Sequence, residues 1–133
     1  MPKNITQKVT FDAKPHDVFE LLMDEKKHSA FTGEKASVSR KAGGMTSAWG
    51  GYLIAMNVEI TKDKRIVQAW RSAEWAKGEW SIVTYALAPA AGGKTTLTFT
   101  QYGIPDSDAK EIAAGWKLYY WKPMAAYLAG KRG

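Results

Sequence analysis

Apolar and polar residues alternate along the first segment of the chain, and helical spacing replaces this alternation soon afterwards. The stretch from Ile5 to Phe11 alternates a mainly apolar set with threonine and lysine, which predicts a half-buried β-strand. Pro15 suits the first position of a helix, because proline lacks an N–H that would stay unpaired there. Apolar residues then recur at helical spacing as far as Met23, and "KKHSAFTG" predicts a second short helix or turn that ends at Gly33.

Strand-like segments and glycine pairs fill the middle of the chain. Residues 36–41 and 45–49 are each followed by a glycine pair, which between strand-like flanks is typical of a β-hairpin, because its tight turn needs positive φ. Four longer strands are predicted after them: Tyr52–Ile60, Arg65–Arg71, Trp80–Leu87 and Thr95–Tyr102. On the first of these, one face is expected to carry Tyr52, Ile54, Met56, Val58 and Ile60, with Met56 toward the interior. The pattern predicts an antiparallel meander.

After Pro105 the apolar period changes from two residues to about 3.6. Asp108 and Glu111 have the spacing of a helix capping box. The apolar positions that follow form one broad stripe: Ile112, Trp116, Tyr119, Tyr120, Met124 and Tyr127. They predict a long C-terminal helix, which Pro123 should kink because its ring removes a backbone hydrogen bond.

The stretch "APAAGGKTT" at residues 88–96 resembles a relaxed phosphate-binding loop of nucleotide hydrolases. Such a loop functions only when it begins a helix whose N-terminus faces the phosphate. Here the segments on both sides, "SIVTYAL" and "TLTFTQY", are rich in β-formers. We therefore interpret the stretch as a hairpin loop rather than a nucleotide site.

The composition is that of one globular domain, which we expect to span residues 1–133, with 45% hydrophobic and 24% charged residues. The chain has no cysteine, which excludes disulfides, zinc–thiolate sites and cysteine nucleophiles. No apolar run approaches the length of a membrane span, and the N-terminus has no secretory core. We therefore predict a cytoplasmic protein without a membrane span.

The net charge of +6 raises the question of a nucleic-acid partner. The basic residues are scattered, with small clusters only at "SRK" and at the terminal "KRG". They do not alternate with aromatic residues in a recognisable binding motif. We interpret them as a solvated basic surface and predict no specific nucleic-acid partner.

The order of elements and six segments of the sequence together resemble a known family. The segments are "AFTG" (30–33), "AGGMTSAWGGYL" (42–53), "KRIVQAWR" (64–71), "EWSIVTYAL" (79–87), "TTLTFTQYGIP" (95–105) and "GWKLYYWKPM" (115–124). In this order they resemble the homologues of the heat-shock chaperone ATPase activator, within the START-like or SRPBCC superfamily. The resemblance implies an α+β helix-grip fold, in which a curved antiparallel sheet wraps around a long C-terminal helix and two short helices follow the first strand.

The resemblance also implies a range of functions. Members of the superfamily bind lipids, sterols, polyketides and other apolar ligands, and some are cyclases or hydratases. The namesake activator carries an additional N-terminal domain that engages the chaperone. The chain begins at the first strand, so we expect that domain to be absent and regard a chaperone or other protein partner as an alternative to ligand binding.

Tryptophan is the most informative residue type, because one buried aromatic side chain removes about 150–250 Å² from water. Two interpretations remain open: a core filled by aromatic rings, or an apolar pocket between helix and sheet. For the pocket, the candidate ligand-binding residues are Phe31, Trp49, Met56, Gln68, Trp70, Trp80, Phe99, Gln101, Trp116 and Tyr120. Gln68 and Gln101 need partners if buried, from the protein or from a ligand. Trp75 lies in a predicted turn that could gate an opening, and the orientation of Trp121 is left open.

Candidates for catalysis are weaker. His16 and His28 have no serine or acidic partner at a recognisable spacing, and two isolated histidines do not make a metal site. Glu59, Glu74 and Tyr85 are the residues whose burial would suit an acid or base. We predict no catalytic residue, metal or cofactor. The leading hypothesis is binding of a small hydrophobic or aromatic ligand, with a chaperone co-factor or interaction module and a cyclase- or hydratase-type enzyme as the alternatives.

Overall fold

The structure, a computed structural model, describes residues 3–132, with side chains as far as residue 130, so the basic cluster at 131–133 lies outside the described side chains. Its elements are β1 (Lys3–Phe11), α1 (Pro15–Met23), α2 (Glu25–Thr32), β2 (Met45–Ala48), β3 (Leu53–Thr61), β4 (Arg65–Ser72), β5 (Ser81–Ala90), β6 (Lys94–Ile104), a 3₁₀ turn (Asp106–Asp108), α3 (Ala109–Trp116), a π-helical turn (Lys117–Trp121) and α4 (Lys122–Arg132). The predicted α+β class and helix-grip architecture are confirmed. Within the described part, no helix is both long and apolar enough to cross a lipid bilayer.

The strands form one antiparallel sheet in the order β1-β6-β5-β4-β3-β2. Consecutive strands from β2 to β6 are neighbours, and β1 returns to pair with β6 along its length, with Ile5 opposite Gln101 and Val9 opposite Leu97. The turn between β5 and β6 contains Gly92 and Gly93, both with positive φ. The stretch that resembles a phosphate-binding loop is therefore a hairpin, as predicted.

The predicted inward face of β3 is wrong by one residue. Met56 is 39% exposed and Val58 is 53% exposed, whereas Leu53 and Ala55 are buried. Both faces of β3 carry apolar side chains, so the alternation alone did not define which face is buried. A register shift between Asn57 and Glu59 interrupts the alternation further along the strand.

The predicted strand at residues 36–41 is also wrong. Only Ser37 pairs there, in an isolated bridge with Ser47 of β2. The segment that follows is held by Asn57, whose buried side-chain amide donates hydrogen bonds to the carbonyl oxygens of Ser39 (2.8 Å) and Lys41 (3.0 Å). An inward asparagine on β3 thus replaces the strand ladder that the sequence suggested.

The C-terminal helix, defined as α3, the π-helical turn and α4, passes through Pro123 without ending. The N–H of Lys122 donates to the carbonyl of Lys117, five residues back. A turn of this kind brings residues five apart toward the same side of the helix, and the rings of Trp116 and Trp121 are stacked with centroids 5.5 Å apart. The predicted irregularity therefore takes the form of a wide turn just before the proline.

A chain of buried hydrogen bonds ties this helix to three strands. The indole N–H of Trp116 donates to Gln101 Oε1 (2.8 Å), and Gln101 Nε2 donates to Ser81 Oγ (3.0 Å). Ser81 Oγ in turn donates to the carbonyl oxygen of Trp70 (2.8 Å). Gln101 is fully buried, so both polar ends of its amide depend on these partners.

We predict that Gln101→Leu lowers the free energy of unfolding by about 1–3 kcal/mol, because it leaves the buried Trp116 N–H without an acceptor. Urea denaturation followed by tryptophan fluorescence measures the change. The matched control is Thr100→Val, at the neighbouring position of β6 on the opposite face, for which we expect a change within about 0.5 kcal/mol. Equal stability of the two variants would contradict the importance of the buried chain.

Candidate functional site

A cleft of about 470 Å³ lies between α3 and the part of the sheet formed by β3 and β4. It is lined by Trp49, Tyr52, Leu53, Trp70, Glu74, Asp108, Glu111, Ile112, Gly115, Trp116, Tyr119 and Tyr120. These residues come from the β2–β3 turn, β3, β4, the β4–β5 loop, the 3₁₀ turn and the C-terminal helix. The cleft has the size and aromatic lining typical of a small-molecule site.

A second cleft of about 430 Å³ lies near α1 and the β5–β6 turn, and it differs in character. Its lining includes Asp12, Lys14, Asp17 and Lys27, together with the two turn glycines. It contains none of the candidate binding residues and combines both signs of charge. We therefore take the aromatic cleft as the candidate site.

Trp116 forms the floor of the aromatic cleft. Its ring centroid lies 4.4 Å from that of Phe99, 4.7 Å from that of Tyr120 and 5.8 Å from that of Trp70. Phe99 is fully buried behind Trp116, whereas Trp70 and Tyr120 join it in the cleft lining. The aromatic residues thus form one continuous cluster, part of which fills the core and part of which lines a cavity.

The mouth of the cleft is formed by side chains that remain partly exposed. Trp49 follows β2 with a left-handed backbone conformation, φ 58°, and its ring meets that of Tyr119 edge to face with centroids 5.4 Å apart. Tyr119 and Tyr52 are both exposed large aromatic residues. Apolar contact area is therefore available at the entrance as well as at the floor.

Trp75 does not line the cleft, and its contacts hold it in place behind Trp70, so it does not act as a gate. It is buried, and its indole N–H donates to Asp108 Oδ2 (2.8 Å). Its ring packs against Trp70 with centroids 5.5 Å apart. The predicted capping box is wrong, because the Asp108 side chain accepts no hydrogen bond from the backbone of the helix. Its carboxylate accepts from the Trp75 indole instead.

His28 and Tyr120 form a buried pair beside the cleft. His28 Nδ1 lies 3.2 Å from the carbonyl oxygen of Leu22, and because a carbonyl only accepts, Nδ1 carries the proton. Nε2 then accepts from the Tyr120 hydroxyl at 3.1 Å. Burial lowers the pKa of His28, against the opposing hydrogen bond to Leu22. Burial also raises the pKa of Tyr120, although a hydrogen bond from the Trp49 side chain acts in the opposite direction. The His28 and Tyr120 pair is therefore neutral near pH 7.

The sequence-predicted binding residues fall into three groups. Trp49, Trp70, Trp116 and Tyr120 line the cleft. Phe31, Gln68, Phe99 and Gln101 are buried but do not line it. Met56 and Trp80 are turned away from it. The prediction of Trp80 as a cleft residue is therefore wrong: β5 begins one residue after it, the residue is 42% exposed, and the Arg71 guanidinium lies 5.7 Å from its ring centroid.

The two buried glutamines have partners within the protein. Gln68 Nε2 donates to Asn57 Oδ1 (3.0 Å), and Gln101 belongs to the series of hydrogen bonds that starts at Trp116. Trp121 is buried, and its N–H donates to Gln7 Oε1 (2.6 Å). Trp70 Nε1 is buried without a hydrogen-bond partner in the described part of the chain. Thr46 Oγ1 and Arg71 Nε are likewise buried without a partner in that part.

The candidate acids and bases are dispersed. Glu59 is exposed and lies 3.4 Å from Arg65 on the surface. Tyr85 is buried against Trp116, and burial, together with Tyr120, holds its pKa well above its ordinary value. Glu74 lies at the mouth of the cleft. These three residues therefore do not form a catalytic group.

Several residues of the cleft were not singled out from the sequence as binding residues: Tyr52, Leu53, Glu74, Asp108, Glu111, Ile112, Gly115 and Tyr119. Tyr119 belongs to the apolar stripe predicted for the C-terminal helix, so the sequence indicated that it faces the sheet but not that it lines a cleft. Asp108 and Glu111 are three residues apart, but Glu74 comes from a distant loop, and only the folded chain brings it to the same opening.

The buried histidine predicts a dependence of stability on pH. Because folding lowers the pKa of His28 below its ordinary value of 6.5, the fold favours the neutral form. This contribution is fully present above pH 6.5 and is lost as the pH falls toward the lowered pKa, by about 1.4 kcal/mol for each unit of the shift. Urea denaturation between about pH 5 and 7.5 measures it.

We expect His28→Gln to be less stable than the original protein and to lose most of this pH dependence. The control is His16→Gln, because His16 is an exposed residue paired with Asp63 at 2.9 Å. That variant should keep the fall in stability at low pH. A pH dependence that survives in His28→Gln would show that another group is responsible.

Comparisons with known proteins agree with this architecture. The family model described as "Activator of Hsp90 ATPase homolog 1-like protein" matches residues 12–129. A relative named "Activator of 90 kDa heat shock protein ATPase homolog", from Dictyostelium discoideum, is 30% identical over 115 residues, which are 86% of this chain and 30% of the relative. The human protein "Activator of 90 kDa heat shock protein ATPase homolog 1" is 26% identical over 118 residues, 89% of this chain and 35% of the relative.

The crystal structure of an Hsp90 activator from Plasmodium falciparum is similar with a TM-score of 0.90 and 22% sequence identity, over 95% of this chain and 96% of that one. This similarity shows that the two chains share the same fold. The chain spans about a third of the length of the curated relatives described above.

Proposed function

The chain belongs to the activator of Hsp90 ATPase homolog 1-like family, and from this premise and the geometry of the cleft we propose that it binds a small apolar or aromatic ligand between α3 and the sheet. One observation carries the proposal: six aromatic side chains line a single cleft of about 470 Å³. A volume of this size suits a small aromatic or short acyl molecule. The neutral Tyr120 and His28 pair supplies a polar boundary without a buried charge.

The floor and the mouth of the cleft have different roles in this proposal. Trp116 and Trp70 are buried and fixed by packing, so they present preorganised apolar surface to the ligand. Trp49 and Tyr119 contact each other at the entrance and remain partly exposed. A ligand that enters between them covers these rings, which adds about 0.5–1.5 kcal/mol for each aromatic pair beyond the area buried.

Gly115 provides a direct test, because it lines the cleft on α3. A Cβ at this position would meet its nearest neighbour, a ring carbon of Tyr119, at 3.7 Å, an ordinary contact distance. Gly115→Leu should therefore fold and place an isobutyl group in the cleft. We expect this variant to lose most of the binding of Nile red, a neutral apolar dye whose fluorescence rises in an apolar site.

The matched control is Gly130→Leu in α4, where a Cβ would meet nothing within 4 Å and no cleft residue is altered. Both substitutions favour the helix by up to about 1 kcal/mol, so a change in stability does not separate them. We expect Gly130→Leu to bind the dye as the original protein does. Equal binding by the two variants, or no binding by the original protein, would remove the proposed site.

A second candidate function is a chaperone co-factor, and the names of the relatives support it. The outer face of the sheet offers a surface for it. Met45, Met56, Ala69, Ile82 and Tyr102 are paired in succession across five strands and form one row. Four of them are exposed large apolar residues, an arrangement found at protein interaction sites.

For this candidate we expect the purified chain to stimulate ATP hydrolysis by a chaperone of the Hsp90 class. Ile82→Thr keeps a β-branched residue in β5 while it removes apolar area from the row, and we expect it to reduce the stimulation severalfold. Leu118→Ser, which alters an exposed leucine of the C-terminal helix, is the control and should leave the stimulation unchanged. An unchanged rate of hydrolysis with the original chain would contradict this function.

A further inference from the structure

The charge of the aromatic cleft is opposite to that of the whole protein. The chain has a net charge of +6, with 19 basic and 13 acidic residues. Among the residues that the structure describes, the cleft lining nevertheless includes three carboxylates, Glu74, Asp108 and Glu111, and no lysine, arginine or histidine. An apolar ligand alone does not require this reversal of charge.

The carboxylates of the cleft form no ion pair with another described side chain. Asp108 accepts from neutral donors, the Trp75 indole and the Ser107 hydroxyl (3.3 Å). Within the described part of the chain, no lysine or arginine nitrogen lies within 4.0 Å of Glu74, Asp108 or Glu111. Their charges are therefore available to a ligand.

Aromatic rings in the same cleft complete the requirements for a cation. Trp49, Trp70, Trp116, Tyr119 and Tyr120 surround the space, and the electron-rich faces of tryptophan and tyrosine attract ammonium groups. Trp70, which is 4% exposed, offers its ring to the same lining.

We propose that the cleft selects organic cations: amines or quaternary ammonium compounds whose apolar or aromatic body occupies the space above Trp116. This inference rests on the proposed ligand-binding function and specifies the chemical class of the ligand. The body of the ligand is covered by the aromatic floor, while its ammonium group lies between the entrance rings and the carboxylates of Glu74 and Glu111. Because both carboxylates are at an exposed rim, their attraction weakens as the salt concentration rises.

The test compares three ligands with one skeleton: 4-phenylbutylamine, 4-phenylbutan-1-ol and 4-phenylbutanoate, as the cation, the neutral compound and the anion. Binding is measured by isothermal titration calorimetry and by saturation-transfer NMR at low and high salt. We expect the amine to bind at least about tenfold more tightly than the anion, and the affinity of the alcohol to lie between the two. The advantage of the amine should decrease at high salt.

Variants locate the preference. Glu74→Gln and Glu111→Gln, alone and together, change the charge of the rim while they keep its size, and we expect the double variant to reduce the advantage of the amine severalfold. Glu34→Gln is the matched control, because Glu34 is an exposed residue that does not line the cleft. It should keep the original preference.

The outcomes separate the two proposals. Binding of the alcohol or the acid as tightly as the amine overturns the cation inference and leaves ligand binding in place. A preference for the amine that Glu74→Gln with Glu111→Gln does not reduce also overturns the inference, because the charge would then act elsewhere. Failure of all three compounds to bind removes both this inference and the ligand-binding cleft on which it rests.

Discussion

The hydrogen bond from Trp116 to Gln101 is the constraint on which the rest of the structure depends. An indole is large enough to fill the space between helix and sheet, but its N–H must find an acceptor once water is excluded. Gln101 provides that acceptor from β6, and Ser81 on β5 fixes the orientation of the amide. The bond therefore determines how α3 lies on the sheet, and with it the position of the cleft floor.

The π-helical turn explains why the aromatic residues both fill the core and leave a cavity. The wide turn allows Trp121 to stack on Trp116 from behind, where it also donates to Gln7 on β1. Tyr120 then extends toward His28 on α2. The structure thus contains both a filled aromatic core and a cleft, because the same helix turn directs adjacent side chains to different sides of Trp116.

The sequence predicted the fold better than the site, for physical reasons. Periodicity identified the meander and the C-terminal helix because each buries one face over many residues. It failed on β3, where Met56 faces outward, because apolar side chains on both faces leave the phase undefined. Periodicity did not predict the acidic rim formed by Glu74 and Glu111. These two residues lie 37 positions apart in the sequence, and no local pattern predicts that a loop and a helix place them at one opening.

The residues at the mouth of the cleft are separable from those that hold the fold together. Trp116, Gln101 and Phe99 are buried, and their contacts account for their presence through stability alone. Tyr119 and Glu111 are exposed, and substitution of exposed residues usually changes stability by only about 0.5 kcal/mol. A single exposed aromatic residue needs no special explanation. Exposed aromatic residues together with Glu74 and Glu111, which form no ion pair with another described side chain, surround one cleft in a chain of opposite net charge, and this combination supports the proposed ligand.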